Sequence, residues 1–172
     1  YQYTEFWGLV FAGLIISLII GYIIQNNCML TKMKSELEGM VRTDALTGIL
    51  NRKGLFHEVE RLIRLDKKFM LYYLDLDSFK HINDSYGHNM GDIALKEFSR
   101  IIDKYTDGSH IFARISGDEF VLVHVDDSLS EENMKNFWQA VAKELSETVI
   151  ADNSNKITIS FSKGVAKYPL EG

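Results

Sequence analysis

The sequence has few residues that cross-link a chain or break its helices. One cysteine, Cys28, occurs among 172 residues, so no internal disulfide can form, which fits a reducing compartment. One proline occurs, and none lies between Gln25 and Arg42, so nothing there interrupts a helix. Internal repeats, low-complexity tracts, Walker-type loops and glycine-rich dinucleotide motifs are absent. A disulfide scaffold and a repeat protein are thereby excluded.

Positive charge is also scarce. Lysine and arginine number 19 against 24 aspartates and glutamates, which gives a net charge of -5 and argues against a nucleic-acid partner. Hydrophobic residues make up 46% of the chain, enough for one ordinary domain plus an extra element. The first residue is Tyr1 rather than methionine, so we expect the sequence to be a piece of a longer protein.

Charged residues are missing altogether from Phe6 to Ile24, where Ser17 is the one clearly polar side chain. At about 1.5 Å of rise per residue, a helix of this length just crosses a hydrocarbon core of about 30 Å. Trp7 and Tyr22 lie near its two ends, as interfacial aromatic residues do. We therefore predict a transmembrane helix within residues 1–25. A signal peptide is the alternative, but no basic leading region or small-residue cleavage site is visible.

The residues that flank this run indicate its orientation. Lys32, Lys34 and Arg42 follow the run, whereas Glu5 precedes it. Because positive charge is retained on the cytoplasmic side, we expect the rest of the chain to lie in the cytoplasm, attached to the inner or plasma membrane.

Residues 26–43 show the spacing of a signalling helix. Leu30, Met33, Leu37 and Met40 recur at steps of three, four and three, which is the a/d stripe of a coiled coil. A stripe this short is marginal alone, yet as the continuation of a membrane helix it is able to hold two chains in parallel. The alternative is a single amphipathic helix packed on its own domain.

Two apolar runs around a polar centre predict a β-hairpin at Ile111–Val123. Apolar side chains alternate with a period of two on both sides of Ser116-Gly117-Asp118-Glu119. Gly117 supplies the positive φ of a tight turn and lets phosphates approach the backbone. Two carboxylates at such a tip are suited to a hard cation such as Mg²⁺. A solvated turn with no ligand is the alternative.

A second acidic cluster follows the continuous apolar run Phe69–Leu74, which predicts a strand buried on both faces. This run ends in Asp75-Leu76-Asp77. Carboxylates at the end of a central strand are unfavourable unless they have a ligand or partner. Two acidic clusters on separate buried strands can converge on a pair of metal ions, as in phosphoryl or nucleotidyl transfer.

The remaining pattern predicts a layered α+β domain. Asn51 is placed to cap a helix, and further helices are expected over Ser78–Tyr86, from Ile93, and from near Ser130. Gly87 to Asp92 is expected to interrupt the second of these, and a last strand is expected over residues 157–166. An antiparallel hairpin within a chain of alternating strands and helices gives a sheet with flanking helices.

At this point five ordered segments resemble the GGDEF family, the diguanylate cyclases: Asp44 to Arg52, Asp75 to Asp84, Gly87 to Asp92, Ser116 to Phe120 and Ser162 to Ala166. The resemblance covers residues 44–172 and implies a palm-like sheet of the ferredoxin-like, nucleotidyl-cyclase type, mainly antiparallel. It also implies that family members continue beyond Tyr168, so we expect the domain to be incomplete at its C-terminus.

The resemblance implies the following site. Asp75, Asp118 and the Leu76 carbonyl would hold Mg²⁺ or Mn²⁺, and Glu119 joins Asp118 as a catalytic candidate. Asn83 and Asp92 would bind the guanine edge, for which an amide and a carboxylate are chemically apt. Phosphate and substrate contacts would come from four further positions: Ser78, Phe79, Lys80 and Gly117.

Several of these residues have ordinary structural alternatives. Asp92 is also suited to be the N-cap of the following helix, and Asp77 to cap the helix that starts at Ser78. Arg114 is placed to reach a partner nucleotide, or equally to make a plain surface ion pair.

The implied activity is condensation of two GTP molecules into cyclic di-GMP and pyrophosphate by a homodimer under the control of an N-terminal sensory region. The alternative is a catalytically silent domain that binds GTP or a protein partner. Two residues depart from the family pattern, Ser116 in place of the first glycine and Lys163 in place of an apolar residue. Asp107 and His110 stand where many members carry an Arg-x-x-Asp product site, so we expect no inhibition by cyclic di-GMP through that site.

Overall fold

A computed structural model describes residues 17–33, 41–125, 131–151 and 156–169. The chain divides after Val41 into two compact units. In the first unit, residues 17–33 are helical and the Thr31 hydroxyl donates to the Asn27 carbonyl at 2.8 Å. Within the described ranges, no helix combines the length and the apolar character needed to cross a bilayer.

The predicted membrane helix and the predicted coiled-coil stripe lie largely outside the residues that the structure describes. Residues 6–16 of the expected membrane span lie outside the described residues, as do Leu37 and Met40 of the expected coiled-coil stripe. Leu30 and Met33 lie on the described helix and are exposed. The membrane helix and the coiled coil therefore remain predictions.

The second unit contains four helices and seven short or medium strands within its described residues. In chain order these are β1 (Leu50–Asn51), α1 (Arg52–Arg64), β2 (Phe69–Leu76), α2 (Phe79–Tyr86), α3 (His88–Tyr105), β3 (His110–Ser116), β4 (Glu119–His124), α4 (Glu131–Glu147), β5 (Ile150–Ala151), β6 (Lys156–Ile157) and β7 (Phe161–Tyr168).

Five strands form a mixed, mostly antiparallel sheet in the order β1-β3-β4-β2-β7. Strand β2 is antiparallel to β4 on one side and to β7 on the other, and β3 is antiparallel to β4. Strand β1 is the exception, since it is parallel to β3. The predicted α+β architecture with an antiparallel hairpin is confirmed.

Helices cover both faces of this sheet. On one face, α3 and α4 pack against alternate residues of β2, and Phe98 meets Phe120 edge-on with ring centroids 4.9 Å apart. On the other face, α1 packs Leu55 and Leu62 on β3 and β4. Burial of each large apolar side chain contributes about 1.5–3 kcal/mol, so the two clusters fix the sheet between its helices.

The helix α1 begins as its sequence predicts. The Asn51 side chain accepts a hydrogen bond from the Gly54 amide at 3.0 Å and caps the first turn. Gly54 is required at this point, because a Cβ there would lie 2.3 Å from the Arg42 carbonyl oxygen.

Several predicted boundaries were wrong. Helix α3 begins at His88 rather than after Asp92, because Gly87 with φ +83 makes the break alone. The strand expected over residues 157–166 is two strands, of which β6 pairs with β5 in a separate two-stranded sheet. Strand β2 is not buried on both faces, since Tyr73 is 41% exposed. The continuous apolar run concealed that difference because tyrosine is apolar along its ring and polar at its hydroxyl.

Candidate active site

The β3–β4 turn carries the signature carboxylates, as predicted. Gly117 adopts φ +39, and the register shifts between Arg114 and Ser116, which marks a bulge beside the turn. The Leu76 amide donates to the Asp118 carbonyl at 3.3 Å, so the turn is also joined to the end of β2. The tip of the hairpin therefore lies next to the second acidic cluster.

Asp75, Asp118 and Glu119 form one acidic cluster at this end of the sheet. Asp75 pairs directly with Glu119 across β2 and β4. Desolvation raises the pKa of Asp75, and the negative charges of Asp118, Glu119 and Asp77 raise it further. Repulsion of this kind shows that the carboxylates share one region of space, and the positive charge of Arg52 acts on Glu119.

Glu119 has two hydrogen-bond partners that the sequence did not indicate. The Ser116 hydroxyl donates to its carboxylate, and the Tyr73 hydroxyl donates as well. These two bonds, the Ser116 bond first, lower the pKa of Glu119 and hold it ionised. The serine that replaces the first glycine of the motif therefore contacts a candidate catalytic carboxylate.

The chemistry of the acidic cluster fits a hard divalent cation. Within the described ranges, no group of three histidine, cysteine, aspartate or glutamate side chains is already arranged to hold a metal ion. Two aspartates supplemented by a backbone carbonyl form an all-oxygen donor set, which suits Mg²⁺ or Mn²⁺. Asp75, Asp118 and the Leu76 carbonyl are the residues that would supply it.

The two candidate guanine contacts lie where α2 meets α3. Asn83 lies on α2 and is partly buried, whereas Asp92 lies inside α3 and is exposed. Asp92 is the fifth residue of α3, so the alternative interpretation of this residue as the helix N-cap was wrong. A Cβ at Gly91 would lie 2.1 Å from the Asn83 side-chain oxygen, so the absence of a side chain at Gly91 makes room for that amide.

The start of α2 follows directly on the acidic cluster. Ser78 occupies the N-cap position with φ +58 and makes no side-chain capping bond, and the helix begins at Phe79. The exposed Lys80 lies in this first turn, where helix amides and a cation are suited to an anion. Asp77 does not cap the helix, because its carboxylate accepts bonds from the Ser160 and Ser162 hydroxyls, each at 2.7 Å.

Tyr73 is a residue of the site that was missed, and the sequence contained a signal for it. Tyr73 and Asp75 are two residues apart on one strand, so they share a face of the sheet. A cavity of about 330 Å³ lies next to Glu119. Tyr73 and Ser116 border it, and it continues to Arg52 and Phe56 on α1. The position of Tyr73 two residues before the candidate metal ligand Asp75 was therefore a sequence signal for including Tyr73 in the predicted site.

Asp107 and His110 lie at the opposite end of β3 from the acidic cluster. The Asp107 carboxylate accepts from the Ser109 amide at 2.8 Å and lies 2.8 Å from His110 Nδ1. The ring of His110 stacks on Phe137 with centroids 5.1 Å apart. Asp107 and His110 therefore contact each other, and His110 also contacts α4; the expected absence of product inhibition stays a prediction.

These observations define an α+β domain with an acidic site at the end of its central strands, next to a helix start and a polar helix junction. The family described as diguanylate cyclase, GGDEF domain, matches residues 41–172. The chain belongs to the GGDEF family.

Similar proteins support the same conclusion. Diguanylate cyclase DgcP of Escherichia coli is 33% identical over 131 residues, covering 72% of this chain and 36% of DgcP. Cyclic di-GMP phosphodiesterase NbdA of Pseudomonas aeruginosa is 34% identical over 143 residues, covering 80% of this chain and 18% of NbdA. The similarity thus spans little more than a third of DgcP and less than a fifth of NbdA.

Among solved structures, the coiled coil and GGDEF domain of DgcB from Caulobacter crescentus, in complex with c-di-GMP, has a TM-score of 0.67 at 22% identity. The similarity covers 87% of this chain and 82% of the DgcB chain. At that identity the comparison establishes the fold.

Proposed function

We propose that this chain is a diguanylate cyclase, which condenses two GTP molecules into cyclic di-GMP with release of pyrophosphate. The observation that carries the proposal is the meeting of Asp75, Asp118 and Glu119 at one end of the sheet. The name of DgcP supports the same activity, and the polar α2–α3 junction is suited to a guanine base.

In the proposed reaction the 3′-oxygen of one GTP attacks the α-phosphorus of the other. The new P–O bond forms as the bond to pyrophosphate breaks, and the hydroxyl proton passes to solvent or to an ionised carboxylate. A divalent cation bound by Asp75, Asp118 and the Leu76 carbonyl would polarise the hydroxyl and stabilise charge on the phosphate. Asn83 and Asp92 orient the base, while Lys80 with the amides near Ser78 and Phe79 holds phosphate oxygens.

Two chains are needed, because each provides one GTP and one half of the reacting pair. We propose a homodimer, joined by the segment of residues 26–43 and tethered to a bacterial inner or plasma membrane by residues 1–25, with the GGDEF domain in the cytoplasm. Specific activity should then rise with protein concentration. Full-length protein should sediment with membranes, and deletion of residues 1–25 should release it.

The test is product formation from GTP and Mg²⁺ by the full-length protein and by Asp118→Asn, with Asp103→Asn on the exposed end of α3 as control. Loss of one metal carboxylate should lower product formation by at least about 100-fold, while the melting temperature stays close to that of the wild type. Turnover retained by Asp118→Asn would contradict the metal assignment.

The second candidate function is a silent GGDEF domain that binds GTP or a protein partner. It is favoured by one finding, the similarity of 80% of this chain to NbdA, which is named a phosphodiesterase. Wild-type protein that binds GTP with Mg²⁺ but forms no product at any protein concentration would establish this second function.

A further inference from the structure

Arg114 joins two parts of the domain that are far apart in sequence. Its Nε donates to the Gly117 carbonyl at 2.8 Å, and its Nη1 donates to Asp44 Oδ1 at 3.1 Å. The Arg114 side chain is only 14% exposed, and its bond to Asp44 is partly buried. The sequence offered two roles for Arg114, a contact to a partner nucleotide or a surface ion pair. Its guanidinium forms an ion pair, with Asp44 of its own domain.

Asp44 is itself fixed within the segment of residues 42–49, which we call the Asp44 loop. Its carboxylate also accepts from the Thr47 amide at 2.9 Å and from the Thr47 hydroxyl at 2.7 Å. The Asp44 amide donates to Ile49 and the Asp44 carbonyl accepts from Gly48, both at 2.8 Å. Partial burial opposes ionisation of Asp44, but the bonds from Thr47 and Arg114 outweigh burial and lower its pKa.

The Asp44 loop is in turn anchored to the helix and the sheet. Asn51 donates from its amide to the Arg42 carbonyl at 2.8 Å and from its side chain to the Thr43 carbonyl at 3.0 Å. Leu50 pairs with Ala113 in the parallel β1–β3 ladder. The carboxylate that meets Arg114 therefore belongs to a rigid part of the domain.

At the other end, the bond to Gly117 acts on the peptide that precedes Asp118. A peptide unit is planar, so fixing the direction of the Gly117 carbonyl also fixes the Asp118 amide. Gly117 is otherwise the freest residue of the turn, because glycine accepts many backbone conformations and nothing lies within 4 Å of its missing side chain. The Leu76 amide holds the carbonyl on the other side of Asp118 at 3.3 Å.

We propose that Arg114 is a positioning residue: it ties the tip of the β3–β4 hairpin to the Asp44 loop and so fixes the direction of the Asp118 carboxylate. The proposal rests on the proposed function for what Asp118 does, but not for the tie itself. One guanidinium donates in two directions at once, which a lysine ammonium at the end of a flexible stem cannot reproduce with the same geometry.

The experiment compares Arg114→Ala, Arg114→Lys, Asp44→Asn and the double variant Arg114→Ala/Asp44→Asn in the full-length protein. Arg100→Ala is the matched control, since Arg100 forms an ion pair with Glu97 at 2.8 Å on the exposed side of α3, against 3.1 Å for Arg114 and Asp44. Two quantities are measured: kcat and KM for GTP with Mg²⁺, and hydrogen exchange of the amides of residues 116–119.

We expect Arg114→Ala to lower kcat by about 10–100-fold, because a displaced catalytic group has effects of that order, with a change in KM below about threefold. Hydrogen exchange of the amides of residues 116–119 should be faster in Arg114→Ala than in the wild type. For Arg114→Lys, both kcat and the exchange rates should lie between those of Arg114→Ala and the wild type. The double variant should be no slower than Arg114→Ala alone, since the two residues act as one unit. Arg100→Ala should resemble the wild type in both measurements.

Wild-type kcat and exchange in Arg114→Ala would overturn the proposal. A rise in KM with unchanged kcat would overturn it too, because it would make Arg114 a direct contact of the nucleotide. If the wild type forms no product, the proposed function fails, and exchange at residues 116–119 alone decides whether Arg114 holds the tip. If Arg114→Ala does not fold, Arg114→Lys supplies both measurements.

Discussion

Gly91→Ala is the most informative single substitution, because it adds one carbon atom at a place where the structure leaves no room. The new Cβ would lie 2.1 Å from Asn83 Oδ1 and 3.3 Å from Phe79 Cζ. Ordinary contact begins at 3.4 Å, so the Asn83 amide must retreat by more than 1 Å. If Asn83 binds guanine as proposed, we expect this substitution to remove its hydrogen bond to the base.

The expected size of the effect follows from the hydrogen bond. A bond lost on one side of a buried pair is worth about 1–3 kcal/mol, which corresponds to a rise of about 5–150-fold in the Kd for GTP. Stability should change less. Crowding between the new Cβ and its neighbours typically lowers the free energy of unfolding by about 1–3 kcal/mol. Replacing glycine by alanine in a helix interior raises it by about 1 kcal/mol, which offsets part of that loss.

The assay is isothermal titration of GTP in the presence of Mg²⁺, accompanied by thermal unfolding. Gly108→Ala is the control, because nothing lies within 4 Å of its added carbon. The critical comparison uses Asn83→Ala, which removes the atom that Gly91→Ala displaces. If Gly91→Ala still weakens GTP binding as strongly in the Asn83→Ala background, the effect does not act through Asn83 and the reasoning is refuted.

Three further predictions concern the same domain. Asp92→Ser should lower discrimination between GTP and ATP by at least about 10-fold, measured as the ratio of their kcat/KM values; an unchanged ratio would remove Asp92 from the guanine site. Asp44→Asn should lower the free energy of unfolding by about 1 kcal/mol at pH 7. The pKa of Asp44 in the folded protein lies below its ordinary value of 3.8, so the stability difference between the wild type and Asp44→Asn is fully present above pH 3.8 and is lost as the pH falls below it. The free energies of unfolding of the two proteins, measured with urea, should therefore converge at low pH. An equal difference at every pH would contradict the role of the charge. Added cyclic di-GMP should leave the initial velocity unchanged, whereas micromolar noncompetitive inhibition that disappears in His110→Ala would show that a product site exists.

The local elements of the fold could be predicted because each is encoded by neighbouring residues. The Asn51 cap, the alternation in β3 and β4 and the apolar face of α4 all depend on spacing within one segment. The start of α3 was predicted wrongly because the local pattern around it was misleading. A cluster of glycines and polar residues usually marks a loop, yet here Gly87 suffices as the break and Gly91 serves the packing of Asn83.

The candidate site was predictable in part. Its carboxylates stand at strand ends, where a charge needs a ligand or partner, so the chemistry of the residues identified them. The contacts that hold them could not be found in this way. Arg114 and Asp44 are 70 residues apart, and the pairing of Asp77 with Ser160 and Ser162 joins β2 to the start of β7. Such pairs depend on which strands become neighbours, and local spacing does not contain that information.

The strand order has a consequence for how the protein is made. Strand β2 lies between β4 and β7, and both of these come later in the chain. During synthesis the apolar residues of Phe69–Leu76 leave the ribosome before either neighbour exists. At about 5–20 residues per second, the last residues of β7 follow those of β2 by roughly 5–20 seconds. For that interval β2, which contains the candidate metal ligand Asp75, lacks its β7 neighbour, and one edge of the central strand stays unpaired until the end of the domain is made.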